Sequence, residues 1–267
     1  MAAASQKLDS SSVVTYQSIV AYDGTRFEGF QRQREGHRTV QAVLEDALRA
    51  VGWQERALKA AGRTDSGVHA EGQVIAYRLA WDHATVDLSA ALNANLPADV
   101  AVRRTKRATG DFHPRFDAVS RRYRYSIFID PVRDPLRERY AWRLTDQPEL
   151  ALLSSASDLF VGEHDFAAFG RPPRENTSTV RQVSLSQWQS EGDVFVFHIE
   201  ANAFLYHMVR HITAAIVEVG LGFGELSDLA VLIDDPTRRR EGRLAPAAGL
   251  CLVNVNYADG GASRKTG

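Results

Sequence analysis

Residues 61–70 read Ala61-Gly62-Arg63-Thr64-Asp65-Ser66-Gly67-Val68-His69-Ala70, the densest run of unusual residues in the chain. Gly62 and Gly67 bracket Arg, Thr, Asp and Ser, so the backbone can turn sharply and approach another molecule closely. An aspartate held in such a turn accepts backbone N–H bonds that keep it ionised, as a nucleophile or a proton acceptor requires. The same residues also suit a surface turn in which Asp65 and Ser66 satisfy local backbone donors. Ten residues alone do not choose between the two.

Outward from this loop, strands and helices alternate. Residues 13–22 are β-branched and apolar and end at Asp23-Gly24, which reads as a strand and a turn. Thr39 is placed to cap a helix whose apolar stripe is Val40, Val43, Leu44, Ala47, Leu48 and Val51, closed by Gly52. Strands are predicted over 74–79, 100–104, 120–129, 180–189, 194–199 and 250–257. Helices are predicted over 88–95, 150–160, 203–219 and 226–233. Within 120–129, Tyr123, Tyr125, Ile127 and Ile129 share one face and Arg122, Arg124 and Ser126 the other. Residues 191–193 make a tight turn between two strands, and 170–179 read as a loop. The pattern is α+β, with largely antiparallel sheet in two similar halves, 13–110 and 111–257. Residues 1–12 read as a disordered leader and 258–267 as a frayed tail.

Composition narrows the class. The chain has 267 residues, 44% hydrophobic and 24% charged, which are ordinary globular proportions. One cysteine, Cys251, makes no internal disulfide and fits a reducing compartment. No apolar run reaches the roughly 18 residues of a membrane span, so the expected setting is the cytoplasm. The net charge of −1 argues against nucleic acid, but its distribution does not. All but four of the 32 basic residues are arginine, and residues 103–124 hold eight cationic side chains against Asp111 and Asp117. Arginine suits bidentate phosphate contact and base stacking. A high arginine share also follows from genomic base composition alone, so a nucleic-acid partner is permitted and not demonstrated.

The 61–70 run resembles the signature of the TruA-type tRNA pseudouridine synthases, in which the aspartate is the essential catalytic residue. The rest of the chain agrees in order. Tyr22-Asp23-Gly24-Thr25 with Gly29-Phe30-Gln31-Arg32-Gln33 resembles the family's first strand and loop, and Thr39-Val40-Gln41 with Leu44-Glu45 its first helix. Asn93-Ala94-Asn95-Leu96-Pro97 and Asp111-Phe112-His113-Pro114-Arg115-Phe116 follow. Arg121-Arg122-Tyr123-Arg124-Tyr125 is similar to the second motif, and Asn202-Ala203-Phe204 through His207-Met208-Val209-Arg210 to the third. Ala245-Pro246-Ala247 with Gly249-Leu250 matches the C-terminal end. Phe30 stands where the family usually has Trp, and 170–179 match poorly.

The resemblance implies the pseudouridine synthase fold, with the sheets of both halves joined into one extended central sheet flanked by helices. It implies an isomerase that converts uridine to pseudouridine at tRNA positions 38, 39 and 40, in the anticodon stem-loop, after flipping the base out of its stack. Asp65 would be the single catalytic carboxylate, with attack on C1′, attack on C6 and proton removal all left open as its role. Arg63 would displace the base, Tyr123 would lie against it, and Arg210 would pair with Asp65. Without the resemblance, Tyr123 reads equally as a core aromatic and Arg210 as a solvated helix residue. The family implies a homodimer with tRNA across both subunits, and neither metal nor redox cofactor. The 103–124 arginines with Arg32, Arg34 and Arg38 become candidate phosphate contacts. A tRNA-binding folding factor without catalysis is the competing reading.

Three other patterns are set aside. Gly220-Leu221-Gly222-Phe223-Gly224 follows a helix and not a strand, unlike a dinucleotide fingerprint. His207 and His211 have zinc-ligand spacing but enclose a cation and no Glu, so they read as helix-face histidines. Arg238-Arg239-Arg240 reads as a solvated helix-end cluster.

Overall fold

The computed structural model describes residues 12–34, 36–172, 177–235 and 237–258. The expected leader and tail lie outside them except for residues 12 and 258, as does part of the 170–179 loop.

Ten strands form one sheet among the described residues. They are β1 (Val14–Tyr22), β2 (Lys59–Ala60), β3 (His69–Leu79), β4 (Val100–Arg107), β5 (Ala118–Ile129), β6 (Trp142–Leu144), β7 (Gly162–Asp165), β8 (Val180–Glu191), β9 (Val194–Ala201) and β10 (Leu250–Tyr257). Their order is β4-β1-β3-β10-β5-β9-β8-β7, with β2 on β3 and β6 on β5. Pairing is antiparallel except for β5 with β6 and β3 with β10. The last strand therefore closes the middle of the sheet, through Cys251 opposite His69 and Leu252 opposite Ala70.

Five helices accompany the sheet: α1 (Val40–Ala50), α2 (Thr85–Asn95), α3 (Leu150–Asp158), α4 (Met208–Gly220) and α5 (Leu226–Asp234). Of the stripe read from the sequence, Val40, Leu44, Ala47 and Leu48 are buried in α1, with Glu45, while Val43 and Val51 are partly buried. In β5, Tyr123, Tyr125 and Ile127 are buried, and Arg122, Arg124 and Ser126 stand partly open on the other face. Tyr16, Tyr77, Tyr125, Phe160 and Phe197 are fully enclosed large side chains of one continuous core. Full burial of a phenylalanine such as Phe160 or Phe197 stabilises by about 1.5–3 kcal/mol. No helix among the described residues is long and apolar enough to cross a membrane.

Four differences from the sequence reading have physical causes. The helix predicted over 203–219 begins at Met208, because Tyr206 pairs with Arg171 in an antiparallel bridge and His207 takes a left-handed φ of 65°. The strand predicted from 74 begins at His69 and runs through Gly72. A Cβ there would stand 2.2 Å from the Val253 carbonyl oxygen, so the glycine lets β10 run against β3. Thr39 occupies the cap position of α1 but makes no capping bond, and its buried Oγ1 has no partner among the described residues. Strands β2, β6 and β7 have at most four residues each, too short for an alternation to show.

Candidate active site

The 61–70 loop sits between β2 and β3 and is fastened along its length. Phe30 N–H donates to Thr64 O (3.0 Å) and Gly67 N–H to Phe27 O (3.3 Å). The Ser66 hydroxyl also reaches Phe27 O (3.1 Å), and Gln73 Nε2 donates to Gly62 O (3.2 Å). The Tyr22 and Thr64 hydroxyls share a buried bond of 2.8 Å. The 24–30 segment that supplies these contacts comes too close for side chains: a Cβ on Gly24 would stand 2.0 Å from Val68 O. Gly29, at φ +94°, would put one 3.2 Å from Thr64 O. Phe30, in place of the family's Trp, is buried against Tyr22.

This frame holds Asp65 with its side chain 17% exposed. Arg210, from the first turn of α4, places Nη1 3.2 Å from Asp65 Oδ2. Its Nε–H donates to Ala245 O at 2.8 Å, and Ala245 N–H donates back to Arg210 O at 3.3 Å, so the guanidinium is aimed by a second strut. His207 Nε2 lies 3.4 Å from the same Asp65 oxygen, with its ring stacked 3.7 Å from Tyr206. Burial pushes the His207 imidazole below its ordinary value, Arg210 and Arg171 push the same way, and Asp65 opposes them. His207 is therefore neutral at pH 7. The sequence reading took it for a helix-face histidine; it stands instead at the cap before α4, with a left-handed φ of 65°, three residues ahead of Arg210.

Tyr123 projects from β5 with Phe204 edge-on at 5.1 Å and 87°. Burial first, then Tyr22 and the Asp65 charge, raise its phenol far above the ordinary range, so it stays a neutral O–H. Arg63 stands exposed on the loop two residues before Asp65. The structure thus joins Asp65 and Arg210 directly, sets Tyr123 within the reach of Asp65's charge, and leaves Arg63 on the rim.

Several arginines read as phosphate contacts are engaged within the protein. Arg121 donates to the carbonyls of Ala61, Arg115, Ala118 and Asn202. It is a brace across three segments around the Asp65 loop. Arg32 pairs with the fully buried Glu45, a carboxylate also satisfied by Gln41 and Leu58 N–H, because an enclosed charge must be matched. Arg38 grips Asp99 with both terminal nitrogens, and Arg124 pairs with Glu71. Arg240, read as solvated, is buried and bound to Glu218 and Arg243 O. By contrast Arg103, Arg104, Lys106 and Arg107 are exposed on the edge strand β4. A cavity of about 340 Å³ lies on the Arg124 side of β5, lined by Asp23, His69, Tyr140 and Cys251 among others and not by Asp65.

The model of the tRNA pseudouridine synthase family matches residues 19–117 and 156–258, segments that include Asp65 and Arg210. The chain belongs to that family. A tRNA pseudouridine synthase A of Geobacter sp. (strain M21) is 40% identical over 242 residues, covering 90% of this chain and 98% of that one. One from Solidesulfovibrio magneticus is 42% identical, with 89% of each chain covered. Among solved structures, a Cbf5–Nop10–Gar1 complex is similar over 76% of this chain and 45% of that one, at 14% identity and a TM-score of 0.35. The chain is thus a TruA-type synthase and an isomerase by family. Tyr123, outside both matched segments, rests on β5 beside them.

Proposed function

We propose that this protein isomerises uridine to pseudouridine at positions 38, 39 and 40 of the tRNA anticodon stem-loop, in the cytoplasm and as a homodimer. The reaction breaks the C1′–N1 glycosidic bond, forms C1′–C5, releases the C5 proton and leaves a proton on N1, so nothing is gained or lost overall. Asp65 is the carboxylate that acts on the uridine, and Arg210 fixes the direction in which it points. The target base leaves its stack at a cost of a few kcal/mol, with Arg63 on the rim to fill the gap. Tyr123 offers the flipped uracil an aromatic surface and a neutral hydroxyl.

The observation that carries this reading is the convergence of Asp65, Arg210 and Tyr123 from three separate segments. Binding alone does not require a carboxylate held so closely. The test is a pseudouridine map: purified protein, with EDTA present, and tRNA transcripts carrying uridine at 38, 39 or 40, read by carbodiimide-stop sequencing. Product at those positions supports the assignment, and product elsewhere moves the specificity. Binding without product assigns the chain to the folding-factor reading. Asp65→Asn, which keeps shape and removes charge, lowers the rate by a factor on the order of 10²–10⁴ while tRNA binding persists. Sedimentation measures the dimer.

A further inference from the structure

Phe116 is 71% exposed, and it is held in place. It lies in the 108–117 segment between β4 and β5. The ring of His113 is 4.3 Å from its own, tilted by 35°, and the Arg115 guanidinium lies 5.8 Å above it. The segment beneath is anchored. Phe112 packs edge-on against Tyr257 at 5.1 Å, and the Tyr257 hydroxyl donates to Pro114 O at 2.9 Å. Asp117 closes the turn, accepting from His113 N–H through Oδ2 (2.8 Å) and donating its own N–H to His113 O (3.0 Å).

A single exposed phenylalanine is ordinary on a protein surface. Here the position matters. One nitrogen of Arg121, Nη2, donates both to Arg115 O (2.6 Å) and to Ala61 O (3.2 Å). Ala61 opens the Asp65 loop, so one guanidinium holds both the Phe116 turn and the candidate catalytic loop. The exposed ring is therefore registered to Asp65, with a histidine and an arginine beside it and the cationic strand β4 leading into it.

We propose that Phe116, flanked by His113 and Arg115, is a stacking platform for an unpaired nucleobase of the RNA substrate next to the target uridine. This rests on the tRNA reading above. An aromatic face binds any base by its π-surface, a planar guanidinium adds cation–π and phosphate contact, and sequence tolerance follows because every base has such a face. That tolerance suits a site that accepts different neighbours in different tRNAs. Pinning the ring beforehand lowers the ordering cost of binding.

The experiment compares wild type with Phe116→Ala, Phe116→Leu and Phe116→Trp, using steady-state kinetics on tRNA and anticodon arms carrying 2-aminopurine at unpaired positions. Expected are a rise in KM of about tenfold for Ala and Leu, with kcat largely kept, recovery in Trp, and 2-aminopurine quenching by wild type that the Ala variant loses. Thermal melting should not change, because the ring is exposed. An unchanged KM in Phe116→Ala, or full retention in Phe116→Leu, overturns the platform. A changed oligomeric state in Phe116→Ala assigns the ring to an interface between copies and also overturns it. Wild-type protein that neither binds nor modifies tRNA overturns the function itself, a result distinct from an active wild type with an indifferent Phe116.

Discussion

Arg210 Nη1 and Asp65 Oδ2 lie 3.2 Å apart, an ion pair between residues 145 positions apart in the chain. The second bond, from Arg210 Nε–H to Ala245 O, means that the guanidinium arrives already aimed. A forked, planar cation can make both contacts together, and a point charge cannot.

Arg210→Lys is therefore not a conservative change. It keeps the charge, loses the Ala245 strut and lets Asp65 swing. Misplacement of a reacting group by about 1 Å costs on the order of 10²-fold in rate. Single-turnover assays should show that loss in kcat with tRNA affinity little altered.

Gly24→Ala tests how the Asp65 loop is held. The new methyl would meet the Val68 carbonyl at 2.0 Å, and backbone cannot step aside as a flexible side chain does. Overpacking of this kind costs about 1–3 kcal/mol. At about 2–4 °C per kcal/mol for a chain of this size, the melting temperature falls by several degrees, and activity falls with it.

His207 is the one non-glycine residue among those described with a positive φ. Asparagine tolerates that left-handed backbone and a β-branched residue does not. His207→Asn should melt near wild type. His207→Val should be less stable by about 1–2 kcal/mol and should displace Arg210, three residues on. Melting curves and kcat separate the two variants.

His211 links stability to pH. Burial, then Arg240, His207, Arg210 and Arg171, push its pKa down to about 4 from 6.5, and its Nδ1 is enclosed without a partner among the described residues. Between those values the unfolded chain binds more protons than the folded one. Its contribution makes stability fall as pH drops from about 6.5 towards about 4, with no effect outside that window. His211→Gln should flatten this part of the melting-temperature profile relative to wild type.

Local features were legible in the sequence because their causes are local. The alternation of Tyr123, Tyr125 and Ile127 marked a strand with one buried face, and the stripe from Val40 to Leu48 marked α1. Residues 250–257 were read as the strand that is observed. The candidate site was legible chiefly through resemblance: physics alone left Asp65 between a reactive carboxylate and a turn residue, and offered Tyr123 and Arg210 bland alternatives. Two misreadings share one cause. The strand expected from residue 74 starts at His69 because Gly72 lets Val253 run close beside it, and the helix expected from residue 203 starts at Met208 because Tyr206 pairs with Arg171.

By itself the sequence determined the amphipathic elements, the glycine-flanked aspartate loop and the α+β class, because periodicity and turn chemistry act over a few residues. Folding alone places β10 between β3 and β5, brings His207 and Arg210 to one oxygen of Asp65, and turns Arg121 and Arg32 onto the protein's own carbonyls and carboxylate. An arginine carries the same charge wherever it stands. Which partner neutralises it depends on the groups that folding brings within about 3 Å, and those come from distant parts of the chain.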